Sequence, residues 1–364
     1  GQVSTRVTSG NVPTSVRVTA EVVTDSGTSI LTQSDLLAVN TGLPDQNSFT
    51  LSADNLNPEA DNISGQTVSV VARLADTFNN PVPNGTSVSF TTEGGFIEPS
   101  CTTTSGTCSV TWTSAEPRTA DHRITILATA IGHETLFDAN GNNSYDDTDG
   151  PAILDGTDSG FTTSQFGKTG FVDHSEAWRD DNANNSKDTF EIFLDYNSNG
   201  QFDGPDGLFN GPQCNSASAC GEGTANTLHV RRSLELVSAS SAALLDILNQ
   251  GNSVIFSNHQ SASEPTLVLE RGEVINLTLK FSDTAVQPIS SNSTISITTS
   301  AGLLAGQINS VMRTTNANGA SSIKFTLTNN LSDTSGFATA ATINAEVVSP
   351  SGIVSVVTFV VTLN

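Results

Sequence analysis

Short runs of alternating apolar and polar residues recur along the chain. Val68, Val70, Ala72 and Leu74 fall at every second position, as do Val88 with Phe90, Val110 with Trp112, and Ile124 with Ile126 and Ala128. A period of two places each set on one face of an extended strand, and the Gly, Pro, Asn, Asp and Ser clusters that bound the runs supply the turns. Only residues 242–248 (AALLDIL) read as a helix, and a short one. The pattern predicts an all-β protein of tandem sandwiches, each burying one face of two sheets.

A repeat sets the domain plan. Leu74-Ala75-Asp76-Thr77, Pro81 and Val88-Ser89-Phe90-Thr91-Thr92 recur 207 positions later as Phe281-Ser282-Asp283-Thr284, Pro288 and Ile295-Ser296-Ile297-Thr298-Thr299. Gly106, Val110 and Trp112 are echoed by Gly319, Ile323 and Phe325. Two domains sharing one fold are expected, over residues 44–238 and 239–364. Residues 1–9 (GQVSTRVTS) overlay residues 106–114 (GTCSVTWTS), and Ser15-Val16-Arg17-Val18 follows like the strand at Ile124. Residues 1–43 thus match only the later half of the unit. They are expected to be the last three strands of a sandwich whose opening strands lie upstream or come from another molecule, a state that exposes strand edges.

The penultimate strand of the middle domain, residues 123–131, leads into a polar block before the final strand resumes near Thr227, so residues 134–223 read as an insertion. Within it one twelve-residue spacing of oxygen-bearing side chains occurs three times. Positions one, three, five, seven, nine and twelve hold Asp138, Asn140, Asn142, Ser144, Asp146 and Asp149 in the first window. The second has Asp180, Asn182, Asn184, Ser186, Asp188 and Glu191, and the third Asp195, Asn197, Asn199, Gln201, Asp203 and Asp206. These are the ligand positions of an EF-hand loop, where alternate residues of a curled loop turn oxygens toward a hard cation. Gly200 fills the turn position of that motif, while Asn143 and Asn185 stand there in the other windows; asparagine tolerates the left-handed conformation required. Windows two and three start fifteen residues apart, which leaves no room for EF-hand helices. The reading is a cluster of Ca2+ loops holding two or more ions, with Asp155, Asp158, Asp173, Glu176 and Asp181 open as further ligands. The alternative is a merely polar insertion.

Charge supports the first. Residues 134–222 carry 17 acids against Lys168, Arg179 and Lys187, a net of −14 within a chain total of −23. Without cations such a block repels itself. With Lys plus Arg at only 14, the chain has no basic patch for nucleic acid, and no run of eighteen apolar residues exists to span a bilayer. Gly1-Gln2-Val3-Ser4 is not a signal peptide; if the protein is exported, its signal lies upstream. Cys101 with Cys108 and Cys214 with Cys220 form two close pairs, read as local disulfides of an oxidising compartment. An enzyme is not expected. His133-Glu134 lacks the second histidine of a zinc protease motif, Gly-x-Ser-x-Gly is missing, and the five histidines are scattered.

Ala75-Asp76, Asn79-Asn80-Pro81-Val82-Pro83-Asn84-Gly85-Thr86, Ser87-Val88-Ser89-Phe90-Thr91-Thr92 and Gly94-Gly95 together resemble the signature of bacterial immunoglobulin-like repeats of the invasin and intimin type. The signature is degraded in the third domain and half present at the N-terminus. The resemblance implies immunoglobulin-like sandwiches strung into surface rods that display an adhesive tip or act as spacers. Invasin and intimin end in a lectin-like domain with a cysteine pair, whereas this chain ends in a plain sandwich.

The function expected is a structural segment of a secreted or cell-surface bacterial rod or filament, stiffened by calcium and disulfides. Its partners are neighbouring Ig-like domains of the same chain or of other subunits. The alternative is a calcium-dependent module for a surface glycan or protein receptor, with Trp178, Tyr145, Tyr196 and Phe202 stacking on sugar rings. Those aromatics also read as the small core of the insertion.

Overall fold

The computed structural model describes residues 4, 6, 14–35, 37–39, 42–155, 168–221, 226–332 and 337–364. In the middle region one sheet has the order Phe49–Ala53, Thr67–Leu74, Thr107–Thr113, Phe96–Ile97, and the facing sheet has Leu228–Val237, Arg123–Gly132, Ser87–Thr92, Ser100–Thr102. First strand beside second beside the E position, and last beside penultimate beside third, is the order of an immunoglobulin-type sandwich. The period-two residues do what the alternation requires: Val68, Val70, Ala72, Leu74, Val110 and Trp112 are all buried between the sheets. Trp112 is fully enclosed, and its Nε1 donates to the Gly94 carbonyl at 2.9 Å. Gly95 has φ +71°, and a Cβ there would lie 2.9 Å from the indole, so the turn beneath Trp112 needs glycine.

The C-terminal sandwich repeats this order. Val254–Ser257, Leu244–Leu248, Val274–Ser282, Ser321–Thr328 and Leu303–Gly306 face Leu267–Leu269, Val354–Leu363, Thr339–Val348, Thr294–Thr299 and Asn309–Val311. The short helix expected at residues 242–248 does not form. Leu244–Leu248 is a strand paired on both sides, with Leu245 and Ile247 in the core. Seven residues cannot hold a helix against two waiting strand edges, since a helix nucleus is costly and short helices are marginal.

The 207-residue repeat is visible atom by atom. Asp76 Oδ1 accepts the N–H groups of Phe78 and Asn80, both at 2.9 Å. Asp283 Oδ1 accepts those of Ala285 and Gln287, at 2.9 and 2.8 Å. Both carboxylates are fully buried, and the residues at the turn, Asn79 and Val286, both adopt positive φ.

Residues 133–227 connect Arg123–Gly132 to Leu228–Val237, which pair antiparallel from Arg123 opposite Val237 to Gly132 opposite Leu228. Inside this connection Leu136–Phe137, Gly170–His174 and Ala152–Asp155 form a small sheet, the last pair parallel. Leu136, Tyr145, Phe171 and Phe209 make its core, with ring centroids 4.8 to 5.5 Å apart. Cys214–Cys220 closes one loop beside that core and Cys101–Cys108 closes another at the middle sandwich.

Of the N-terminal stretch, residues 1–9 lie mostly outside the described residues. Thr14–Val16 pairs with Leu37–Val39, and Thr19–Val23 with Ser29–Gln33. Every residue of the second pair is exposed, Val22, Val23, Ile30 and Leu31 included. Among the described residues no helix is long and apolar enough to cross a membrane.

The two sandwiches meet through polar groups. Asn57 donates to the Ile289 carbonyl (2.7 Å) and accepts from the Thr315 N–H (2.9 Å). Glu59 accepts the N–H and hydroxyl of Ser351 (2.8 and 2.5 Å). Arg123 pairs with Glu235 and donates to the Asn316 carbonyl at 3.2 Å. At the centre, His122 places Nδ1 2.5 Å from Asp283 Oδ2 and Nε2 3.5 Å from Asp61 Oδ1. Burial pushes this imidazole down, but the hydrogen bond and charge of Asp283, with Asp61 and Asp121, outweigh it and hold the pKa above its ordinary value. A histidine whose folded pKa is raised contributes stability that is complete below its unfolded pKa and is lost as pH rises through the folded one. Proton NMR of His122 is expected to show titration above the free-imidazole value. His122→Asn, which suits the φ of +62° at this site, is expected to remove that part of the pH dependence of melting.

Candidate metal centre

The three windows fold into three loops with one hydrogen-bond scheme. At position one, Asp138, Asp180 and Asp195 each turn their carboxylate back into the loop. One oxygen accepts the N–H of position five (Asn142, Asn184, Asn199) at 3.2, 3.1 and 3.0 Å. The other accepts the N–H of position six (Asn143, Asn185, Gly200) at 2.7, 2.6 and 2.7 Å. Those sixth residues have φ of 62°, 60° and 77°, so two asparagines take the left-handed turn that a glycine takes in the third loop. The fourth residues, Gly141, Ala183 and Ser198, are left-handed too, at 76°, 54° and 61°.

The side chains at positions three, five and nine converge. Asn140 and Asn142 donate Nδ2 to one Asp146 oxygen at 2.9 and 2.7 Å. Asn182 and Asn184 do the same to Asp188, both at 2.8 Å, and Asn197 and Asn199 to Asp203, at 2.7 and 2.6 Å. A half-turn of each amide about its last side-chain bond exchanges Nδ2 for Oδ1 at the same point, at the cost of the backbone N–H that the Oδ1 accepts, from Asn142 and Ser144 in the first loop. Asp146 is held down to about 2, chiefly by the hydroxyl and N–H of Thr148 and then by the Asn140 amide. Position seven contributes its backbone to the curl: the N–H groups of Ser144, Ser186 and Gln201 donate to the Oδ1 of position five (Asn142, Asn184, Asn199) at 2.8, 2.7 and 2.7 Å.

At position twelve the third loop departs from the others. Asp149 accepts the N–H groups of Ala139 and Asp146, both at 2.9 Å, and Glu191 those of Asp181 and Asp188, at 2.9 and 2.8 Å. In each case one carboxylate ties positions two and nine together. The equivalent donors of the third loop, Tyr196 and Asp203, bond instead to Glu176, at 2.7 and 3.2 Å. Asp206 faces the other way, accepting Leu208 N–H at 2.8 Å and Asn210 Nδ2 at 3.4 Å. Spacing alone pointed to Asp206; the partner lies nineteen residues before the loop's first aspartate.

Behind Asp206 lie two more acids. Asp173 accepts the N–H groups of Asp206 and Gly207, and burial, with the charge of Asp206, pushes it up to about 6. Glu134 accepts the N–H groups of His174 and Asn210 at 2.8 Å each, and burial pushes it well above the usual carboxylate range. The block is fastened to the sandwich by Arg231, fully buried, whose guanidinium donates to the carbonyl and hydroxyl of Ser175 at 2.7 and 3.2 Å. Loop two rests on the sandwich through Thr125, whose hydroxyl donates to the Asp180 carbonyl at 3.0 Å.

The donor set suits a hard cation: carboxylate and amide heads only, gathered by a backbone already curled. Among the described residues no three Asp, Glu, His or Cys side chains come together as a cage for a metal ion, so a cation in any of the loops would draw on asparagine amides as well as carboxylates. Asp158 lies outside the described residues. The aromatics are mostly packing groups. Tyr145 and Trp178 are buried, Tyr196 meets His229 edge-on, and Phe202 meets Phe193 with Lys187 Nζ 5.6 Å from its ring.

No protein-family model matches this chain, and no curated protein matches it. Solved structures similar to it include the Yersinia pseudotuberculosis adhesin InvE, at 15% identity and TM-score 0.25, covering 89% of this chain and 60% of that one. The D0-D1 domain of intimin is 14% identical at TM-score 0.20 over 86% of this chain and 95% of that chain. The C-terminal 282-residue fragment of intimin in complex with the translocated intimin receptor's intimin-binding domain is 11% identical at TM-score 0.24, over 87% and 64%. The chain spans less than two thirds of the InvE and intimin-fragment structures. At these identities and TM-scores the likeness says nothing of family, activity or partner.

Proposed function

We propose that this chain is a structural segment of an extracellular bacterial adhesin-like rod or filament, and that Ca2+ bound in the three loops folds and stiffens its central insertion. The observation that carries this reading is the hydrogen-bond scheme shared by three separate loops, which a merely solvated polar insertion has no reason to repeat. Asp138, Asn140, Asn142 and Asp146 would hold one ion, Asp180, Asn182, Asn184 and Asp188 a second, and Asp195, Asn197, Asn199 and Asp203 a third. The ions would supply positive charge to a block with a net of −14 and only a small apolar core.

The test is limited proteolysis of the purified chain with calcium and with excess chelator, mapping cleavage within residues 138–206. Cleavage confined to the chelated sample is the expected result; equal cleavage in both would leave the loops without a cation role. The glycan-binding alternative has less support, because Tyr145 and Trp178 are buried in the insertion rather than displayed.

A further inference from the structure

Resting on that calcium reading, we infer that the third site is discontinuous: Glu176, and not Asp206, is its closing carboxylate. Loops one and two each end in an acid whose two oxygens span the N–H groups of positions two and nine. Glu176 makes the same pair of bonds to Tyr196 and Asp203. Its own N–H donates to the Asp203 carbonyl at 3.0 Å, so backbone and side chain both fasten it to position nine.

The path of the chain explains how a distant residue arrives there. Trp178 forms an antiparallel bridge with Phe193, and the Leu194 N–H donates to the Ala177 carbonyl at 2.7 Å. Continued by two residues, that register sets Glu176 opposite Asp195, the first residue of the loop. Asp206 has meanwhile been drawn to Leu208, Asn210 and Asp173, where its carboxylate no longer reaches the backbone of positions two and nine. Because Ser175 is gripped by Arg231, a cation held by Glu176 would be one residue away from the sandwich.

The experiment is calcium titration of the full chain with ions counted by native mass spectrometry and affinities taken from calorimetry, for the wild type, Glu176→Gln, Asp206→Asn and Asp203→Asn. Glu176→Gln and Asp203→Asn are expected to lose one ion, or to weaken one site by at least about tenfold, the loss seen when even an outer partner of a metal site is removed. Asp206→Asn is expected to keep the full count. Hydrogen exchange at Tyr196 and Asp203 gives a second readout that needs no metal: both amides should exchange faster in Glu176→Gln and remain protected in Asp206→Asn. Loss of the ion in Asp206→Asn with retention in Glu176→Gln would overturn the inference in favour of a contiguous loop, and retention or loss in both would overturn it as well. If Glu176→Gln does not fold, Glu176→Asp, one methylene short of spanning both amides, takes its place under the same criteria. A wild type that binds no calcium removes the calcium reading itself. A wild type that binds calcium with Glu176→Gln indistinguishable from it removes only this inference.

Discussion

Chelating calcium from the intact chain is expected to lower its stability by about 2 to about 5 kcal/mol and to open the insertion to protease first. The range follows from linkage. Extracellular calcium modules bind at about 10⁻⁴ to 10⁻³ M, so at about 2 mM free ion each site contributes between about 1.8 and about 0.6 kcal/mol, and three independent sites contribute three times that. The loss should fall on residues 138–206, whose buried apolar cluster of Leu136, Tyr145, Phe171 and Phe209 is small. Calorimetry with calcium and with chelator, read beside protease mapping, checks both the size and the place. A melting curve that does not move would mean that the asparagine and aspartate heads solvate one another and need no ion. Magnesium is expected to substitute poorly, since it demands near-ideal octahedral geometry and gives up its waters reluctantly.

Trp112→Ala is expected to cost the middle sandwich about 4 kcal/mol. A buried tryptophan truncated to alanine costs about 3–5 kcal/mol through lost transfer energy and the cavity left behind. Here the Gly94 carbonyl also loses one of two donors, keeping the Thr92 hydroxyl at 2.7 Å. A domain stable by about 5–15 kcal/mol is left marginal by such a loss. Since the insertion hangs between two strands of this sandwich, its calcium binding should fall with the sandwich. The C-terminal sandwich has its own core around Phe325, Ile343 and Phe359, and its melting transition should stay in place. Two calorimetric transitions, one shifted and one fixed, are the expected record; a single transition shifted as a whole would mean that the polar joint makes the two sandwiches one cooperative unit.

Much of this was legible in the chain itself. Period-two alternation placed Val68, Val70, Ala72 and Leu74 in a core because a strand has only two faces. The 207-residue repeat placed Asp76 and Asp283 at the same turn, where one oxygen of each buried carboxylate accepts two amides of that turn. The three loops were legible because their positions one to nine are contiguous, so spacing along the chain is also spacing in the loop. Sequence could not show which edges would be available to residues 242–248, whose apolar content suits a helix or a buried strand equally. Nor could it show that Trp178 would pair with Phe193 and carry Glu176 to the third loop. Local composition determined the strands, the turns and the curl of each loop, since those depend on neighbours within a few residues. Tertiary structure alone decided which acid closes the third loop and how His122 comes to bridge Asp61 and Asp283, because each joins residues far apart in the chain, brought together by strand pairing and domain packing rather than by spacing.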